Sequence, residues 1–220
     1  MSVLAVTVLV VAKAPVAGRA KTRLAATVGD EVAADIAAAA LLDTLDAVAA
    51  APVATRVVAL TGELGAAANA DEIADRLKSF TVIAQRGNDF ADRLANAHAD
   101  AAGGDPVLQI GMDTPQVTAE LLAGCGCRLL DAPAVLGLAH DGGWWALGLR
   151  TPATAECLRT VAMSQPDTGT LTLEALRGHG LEVEILDELA DVDVVADIAG
   201  VRDACAPTSR FAQVTRAAGL

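Results

Sequence analysis

The chain has 220 residues, 53% of them hydrophobic but only 2% aromatic, with no tyrosine. It is long enough to bury a core made chiefly of Ala, Val and Leu. A net charge of −12 excludes the broad basic face that duplex nucleic acid requires, so no nucleic-acid partner is expected. The four cysteines (Cys125, Cys127, Cys157, Cys205) form no spaced framework and read as reduced thiols of a cytoplasmic protein.

Taken in chain order, the apolar run Val3–Ala12 lacks a basic leader and is too short to span a bilayer. It is rich in β-branched residues and reads as a buried strand. Directly after it comes VVAKAPVAGRAKTRLAA (Val10–Ala26), which carries Lys13, Arg19, Lys21 and Arg23 and no acid before Asp30. A helix is expected over Gly29–Ala51, then a strand over Val53–Thr61 and a helix over Ala66–Ser79. Phe80–Gln85 and Asn88–Ala102 repeat the strand and helix pair, and Pro106–Gly111 reads as a fourth buried strand. Continuous apolar strands joined by helices imply a parallel sheet covered on both faces, hence an α/β fold.

The rhythm then changes. Thr118–Leu130 reads as a helix weakened by Gly124 and Gly126. Ala134–Ala139 and Trp144–Leu149 read as strands of a hairpin around HDGG. Helices are expected over Pro152–Met163 and Thr170–Arg177, a strand over Leu181–Leu186 and a helix over Val194–Ala204. The expected organisation is one domain over residues 1–206, with a patternless tail over 207–220.

In an open α/β sheet, ligands bind beyond the carboxyl ends of the strands. The basic loop follows the first strand, and GMDTP (Gly111–Pro115) follows the fourth. A cation set for phosphate and a carboxylate, Asp113, for Mg²⁺ or Mn²⁺ would thus face one crevice. The bland alternatives are a solvated turn for the loop and a helix N-cap or Asx turn for Asp113. GRAKT is no P-loop, because Ala20 precedes Lys21 and Pro15 occupies the upstream glycine position. Within HDGGWW, Asp141 is a second candidate carboxylate or a plain turn residue, and Gly142, Gly143 and Trp144 are a candidate substrate wall. No zinc constellation or hydrolytic nucleophile motif accompanies His98, His140 or His179.

Five segments resemble the DUF2064 family of bacterial proteins, which is assigned to the GT-A-type nucleotide-diphospho-sugar transferases. They are VVAKAPVAGRAKTRL (Val10–Leu24), GNDFADRLANAHAD (Gly87–Asp100), IGMDTPQVT (Ile110–Thr118), LGLAHDGGWWALGL (Leu136–Leu149) and DELADVDVVADI (Asp187–Ile198). The resemblance implies a three-layer GT-A-like fold with a mostly parallel sheet, helices on both faces and a small hairpin extension. It implies phosphate contacts from Lys13, Arg19, Lys21 and Arg23, a divalent metal at Asp113, and Asp141 as a second metal ligand or a residue facing the acceptor. The sequence departs from the family pattern at Leu138, Trp144, Trp145 and Val194, and Asp113 stands alone where many sugar transferases carry Asp-x-Asp. The implied function is transfer from a nucleotide sugar or an NTP to an unknown small-molecule acceptor. The basic loop also resembles a guanylyltransferase of deazaflavin-cofactor synthesis, which keeps nucleotidyl transfer open beside glycosyl transfer. A non-catalytic nucleotide-binding module is the alternative outside enzymology.

Overall fold

A computed structural model describes residues 2–220. Its centre is a seven-stranded sheet in the order β3-β2-β1-β4-β6-β5-β7, with β1 Leu4–Lys13, β2 Val53–Thr61, β3 Thr81–Ala84, β4 Val107–Ile110, β5 Ala134–Ala139, β6 Trp144–Leu149 and β7 Val183–Leu189. Strand β6 runs against both β4 and β5, and the other pairings are parallel. The β5–β6 hairpin therefore extends the sheet outward from β4, and β7 closes that side. The α/β class and the mostly parallel sheet agree with the sequence expectation.

Strand alternation sends side chains to two helical layers. Val6, Val8 and Val10 of β1 pack with Leu41, Leu42 and Leu45 of α2 (Asp30–Ala50) and with Leu122 and Leu129 of α5 (Ala119–Asp131). Leu9 and Val107 face the other way, onto Ala97 and Ala101 of α4 (Phe90–Ala101). The remaining helices are α1 Thr22–Val28, α3 Ala70–Leu77, α6 Thr168–Gly178, α7 Val195–Ala204 and α8 Arg210–Ala217. Helix α2 is apolar around most of its circumference because it is covered twice. Its Leu41 side meets the sheet, while Ala33, Ile36 and Ala40 meet Leu24, Ile198, Val201 and Phe211.

Several boundaries differ from the expectation, each for a physical reason. The expected tail is helix α8, with Ser209 capping it through Ala212 N–H and Phe211 fully buried against α2. Asp43 of α2 accepts hydrogen bonds from the Arg210 and Phe211 amides at 3.1 and 2.8 Å, which fixes the N-terminus of α8. Pro152–Thr160 is a 3-10 helix rather than an α-helix. Helix α3 starts at Ala70, after a short 3-10 turn at Leu64–Ala66. Helix α5 survives its two glycines because it packs on β1, and a Cβ at Gly126 would stand 3.2 Å from a methyl of Leu4. Strand β7 continues to Leu189, which carries the following chain to the carboxyl ends of the sheet. All four cysteines are free thiols.

Candidate functional site

The carboxyl ends of β1 and β4 open into a crevice of about 650 Å³. The sequence-derived candidates Lys13, Arg19, Lys21, Arg23, Asp113, Asp141, Gly143 and Trp144 all line it, and so do Asp191 and Asp193. After β7 the chain turns back across the sheet ends instead of running outward. Trp145 Nε1–H donates to Asp187 O at 3.0 Å, His140 N–H to Leu189 O at 3.1 Å and Val192 N–H to Asp113 O at 3.3 Å. Asp197, in the first turn of α7, accepts from the Asp193 and Val194 amides, both at 2.8 Å. This strap delivers two carboxylates beside Asp113.

The carboxylate oxygens of Asp113, Asp191 and Asp193 lie within 4.8 Å of one another. Lys21 reaches into the group, with Nζ 2.7 Å from Asp113 Oδ2 and 3.1 Å from Asp193 Oδ1. Arg23 pairs with Asp193 at 2.9 Å. Burial disfavours the Lys21 ammonium, but the charges of Asp113 and Asp193 outweigh it and hold its pKa above the ordinary lysine value. Asp191 has no cationic partner among the described residues. Burial and the neighbouring charges of Asp113 and Asp141 push its carboxyl up to about 6. The four basic residues therefore divide: Lys21 and Arg23 are held by carboxylates, while Lys13 and Arg19 are exposed and make no side-chain contact among the described residues.

Backbone strain concentrates here. Lys21 and Ser164 adopt left-handed backbone at φ 47° and 58°, and both line the crevice. Non-glycine residues in that region persist only where the surroundings enforce it. For Lys21 the enforcement is visible, since its position sets the ammonium between two acids.

Asp113 is not a helix cap; Thr118 caps α5 through Leu121 N–H. Asp141 is exposed at the rim, lies outside the three-carboxylate group, and accepts from Gly143 N–H at 2.8 Å as a turn residue does. The carboxylates that the structure brings together are Asp113, Asp191 and Asp193, with Asp141 outside the group. Gly142 is explained by packing: φ is +89°, and a Cβ would stand 1.8 Å from Pro166 O. Of the candidate wall residues, Gly143 and Trp144 line the crevice, and Trp144 is half-buried with its indole N–H on Thr172 Oγ1 at 3.2 Å. Asp191 and Asp193 are additions to the sequence-derived candidates, and DVDVVAD carries their signal: two alternate aspartates after a strand, then a third aspartate positioned to cap a helix.

Sheet order and helix layers define a three-layer α/β fold of the GT-A-like type. The chain belongs to the family described as an uncharacterized protein conserved in bacteria (DUF2064), whose model matches residues 44–165. The basic loop and the Asp191–Asp193 strap lie outside that match. No curated protein matches the chain by sequence. Among solved structures, a Desulfovibrio desulfuricans G20 protein assigned to the nucleotide-diphospho-sugar transferases is 26% identical, with a TM-score of 0.84 over 99% of this chain and 95% of its own. The 4-diphosphocytidyl-2C-methyl-D-erythritol synthase of Anaerococcus prevotii DSM 20548 shares the fold at 10% identity and TM-score 0.57, over 89% and 95% of the two chains. Rv0371c of Mycobacterium tuberculosis H37Rv, solved in complex with manganese, does so at 19% and 0.55, over 89% and 97%. Among the described residues no helix is long and apolar enough to cross a membrane.

Proposed function

We propose that the protein is a transferase that takes its donor as an activated nucleotide, in the manner of a glycosyltransferase binding a nucleotide-diphospho-sugar. One observation carries this reading: a basic loop with two uncommitted cations faces a three-carboxylate group across one strand-end crevice. Lys13 and Arg19 are free to hold donor phosphates. Lys21 is poised to shift from Asp113 and Asp193 to a phosphate when one arrives, with its charge secured throughout. Stabilising charge on a departing diphosphate is the task for which preorganised cations are effective.

A divalent ion, Mg²⁺ or Mn²⁺, fits the carboxylate group. The donor set is all oxygen, as hard cations prefer, and Asp191 enters no ion pair among the described residues. Asp113, Asp191 and Asp193 would hold it, and when bound it supplies Lewis-acid stabilisation of phosphate oxygens. Asp141 and Trp144, on the hairpin side, are placed to meet the acceptor. The likeness to the Desulfovibrio protein supports glycosyl transfer. Nucleotidyl transfer is the second reading, supported by the fold shared with cytidylyltransferases such as the Anaerococcus synthase.

The test is a turnover assay with nucleotide sugars and NTPs, each with Mg²⁺ or Mn²⁺ and a panel of sugar and phosphorylated acceptors. Release of nucleoside diphosphate identifies glycosyl transfer, and release of pyrophosphate identifies nucleotidyl transfer. Binding of nucleotide that persists in Asp113→Asn, with no product from any donor, would contradict both and leave a non-catalytic module.

A further inference from the structure

One wall of the crevice does none of the work assigned above. It is formed by the first turns of α4 and by the strand residues that face α4. Val107 of β4 points toward α4, so Gln109, two residues on, points the same way. Gln109 is 1% exposed, and its side-chain oxygen has no hydrogen-bond donor. On α4, Arg93 has a buried Nε that meets no acceptor, and its guanidinium enters no ion pair among the described residues. It stands over the Phe90 ring, 5.6 Å from the centroid. The neighbouring acid is unavailable, because Asp92 is bound by Arg159 at 2.8 Å and by Asn88 N–H at 3.3 Å. In a chain of net charge −12, an arginine left without a carboxylate and an amide oxygen left without a donor line one crevice as a complementary pair of vacant hydrogen-bonding groups.

An anion does not suit this wall, since the Gln109 oxygen would repel it and Phe90, Leu94 and Val11 offer it nothing. A flat heterocycle suits it well: apolar and aromatic faces for the ring, and polar groups at its edge. Resting on the reading that the crevice binds a nucleotide, we propose that this wall receives the base and that Arg93 and Gln109 read its edge. A guanidinium fork donates to two adjacent acceptors, and the Gln109 oxygen accepts from the donor that follows them. Guanine presents that order as N7, O6 and N1–H, and cytosine presents it as O2, N3 and the N4 amino group. Adenine sets its amino group between two acceptors, and uracil sets N3–H between two carbonyls. Each of these puts a donor or acceptor against its own kind. The specificity assigned is therefore guanine or cytosine over adenine and uracil.

The test is calorimetric titration of GDP, CDP, ADP and UDP with Mg²⁺ into the wild type, Arg93→Ala, Arg93→Lys and Gln109→Leu. GDP or CDP is expected to bind at least about tenfold tighter than ADP and UDP. Arg93→Ala should weaken the preferred ligand by about 10- to 100-fold, the scale of a bidentate arginine contact. It should also bring the four within a few-fold of one another. Arg93→Lys, which keeps the charge and loses the fork, should fail to restore the ranking, and Gln109→Leu should narrow it. Wild-type binding of all four alike, tightest binding of ADP or UDP, or a ranking that survives Arg93→Ala would each overturn the base assignment while leaving the nucleotide crevice standing. Binding of none would overturn the crevice reading itself.

Discussion

Two acid-rich clusters in this molecule are built to opposite ends. Under α8, Asp43, Asp46 and Glu72 meet Arg210 and Arg76. Arg210 contacts all three acids, and Asp43 additionally accepts two backbone N–H groups. Every acid there has an arginine partner, and the cluster fastens one helix to another. In the crevice, Asp113, Asp141, Asp191 and Asp193 meet only Lys21 and Arg23. Asp191 goes unpaired among the described residues, and Lys21 holds a left-handed backbone. Composition does not separate the two; satisfaction does. A closed cluster stabilises the fold, whereas an unbalanced one under backbone strain is held ready for something that arrives.

The comparison breaks most sharply in stability. Phe211→Ala removes the buried ring under α8 and should cost about 3–5 kcal/mol in chemical denaturation, with ligand affinity unchanged in the protein that remains folded. Asp113→Asn should do the reverse. Metal-dependent nucleotide affinity should fall by about 100-fold, near 2.7 kcal/mol, while the melting temperature of the free protein stays constant or rises as acid crowding is relieved. Gly142→Ala tests the β5–β6 turn: with a positive φ and Pro166 O in the way, it should destabilise by about 2 kcal/mol or more by denaturant titration.

A separate pH effect comes from His98, which lies outside both clusters. His98 is fully buried, with neither ring nitrogen bonded, and burial lowers its pKa from 6.5 to about 3. The unfolded chain binds a proton below about pH 6.5 that the folded chain refuses until about pH 3. The stabilisation from neutral His98 is therefore complete above that window and lost as pH falls through it. By about pH 4.5 the loss should be on the order of 2–3 kcal/mol, and His98→Leu should flatten that limb of the profile. The smallest effect on stability is expected from Lys13→Ala and Arg19→Ala, within about 0.5 kcal/mol because both are exposed. Each should nonetheless weaken phosphate-ligand binding by roughly tenfold, measured by titration.

Much of this was legible in the sequence. Strand and helix alternation gave the sheet, and Lys13, Arg19, Lys21, Arg23 and Asp113 were readable because loops at the carboxyl ends of parallel strands converge. What could not be read is tertiary. Asp193 lies 172 residues from Lys21, and nothing local says that the chain after β7 doubles back over the hairpin. HDGGWW is chemically loud, and the structure divides its roles: Gly142 answers to Pro166 O, while the Asp141 carboxylate accepts from Gly143 N–H within the turn. Helix α8 was missed because eight residues carry little periodicity. Its Ser209 cap and its single buried Phe211 make sense only once Asp43 is known to wait opposite.

The central claim is that the strand-end crevice is an open, metal-assisted nucleotide site. Thermal unfolding with nucleoside diphosphates, NTPs and nucleotide sugars, each with and without Mg²⁺ or Mn²⁺, tests it most directly. At roughly 100 times its dissociation constant a ligand adds about 2.7 kcal/mol, which is on the order of 5–10 °C for a chain of this size. The account predicts such a shift for at least one nucleotide, dependent on the metal and lost in Asp113→Asn. A melt that no nucleotide moves, or a shift indifferent to both metal and Asp113, would contradict it.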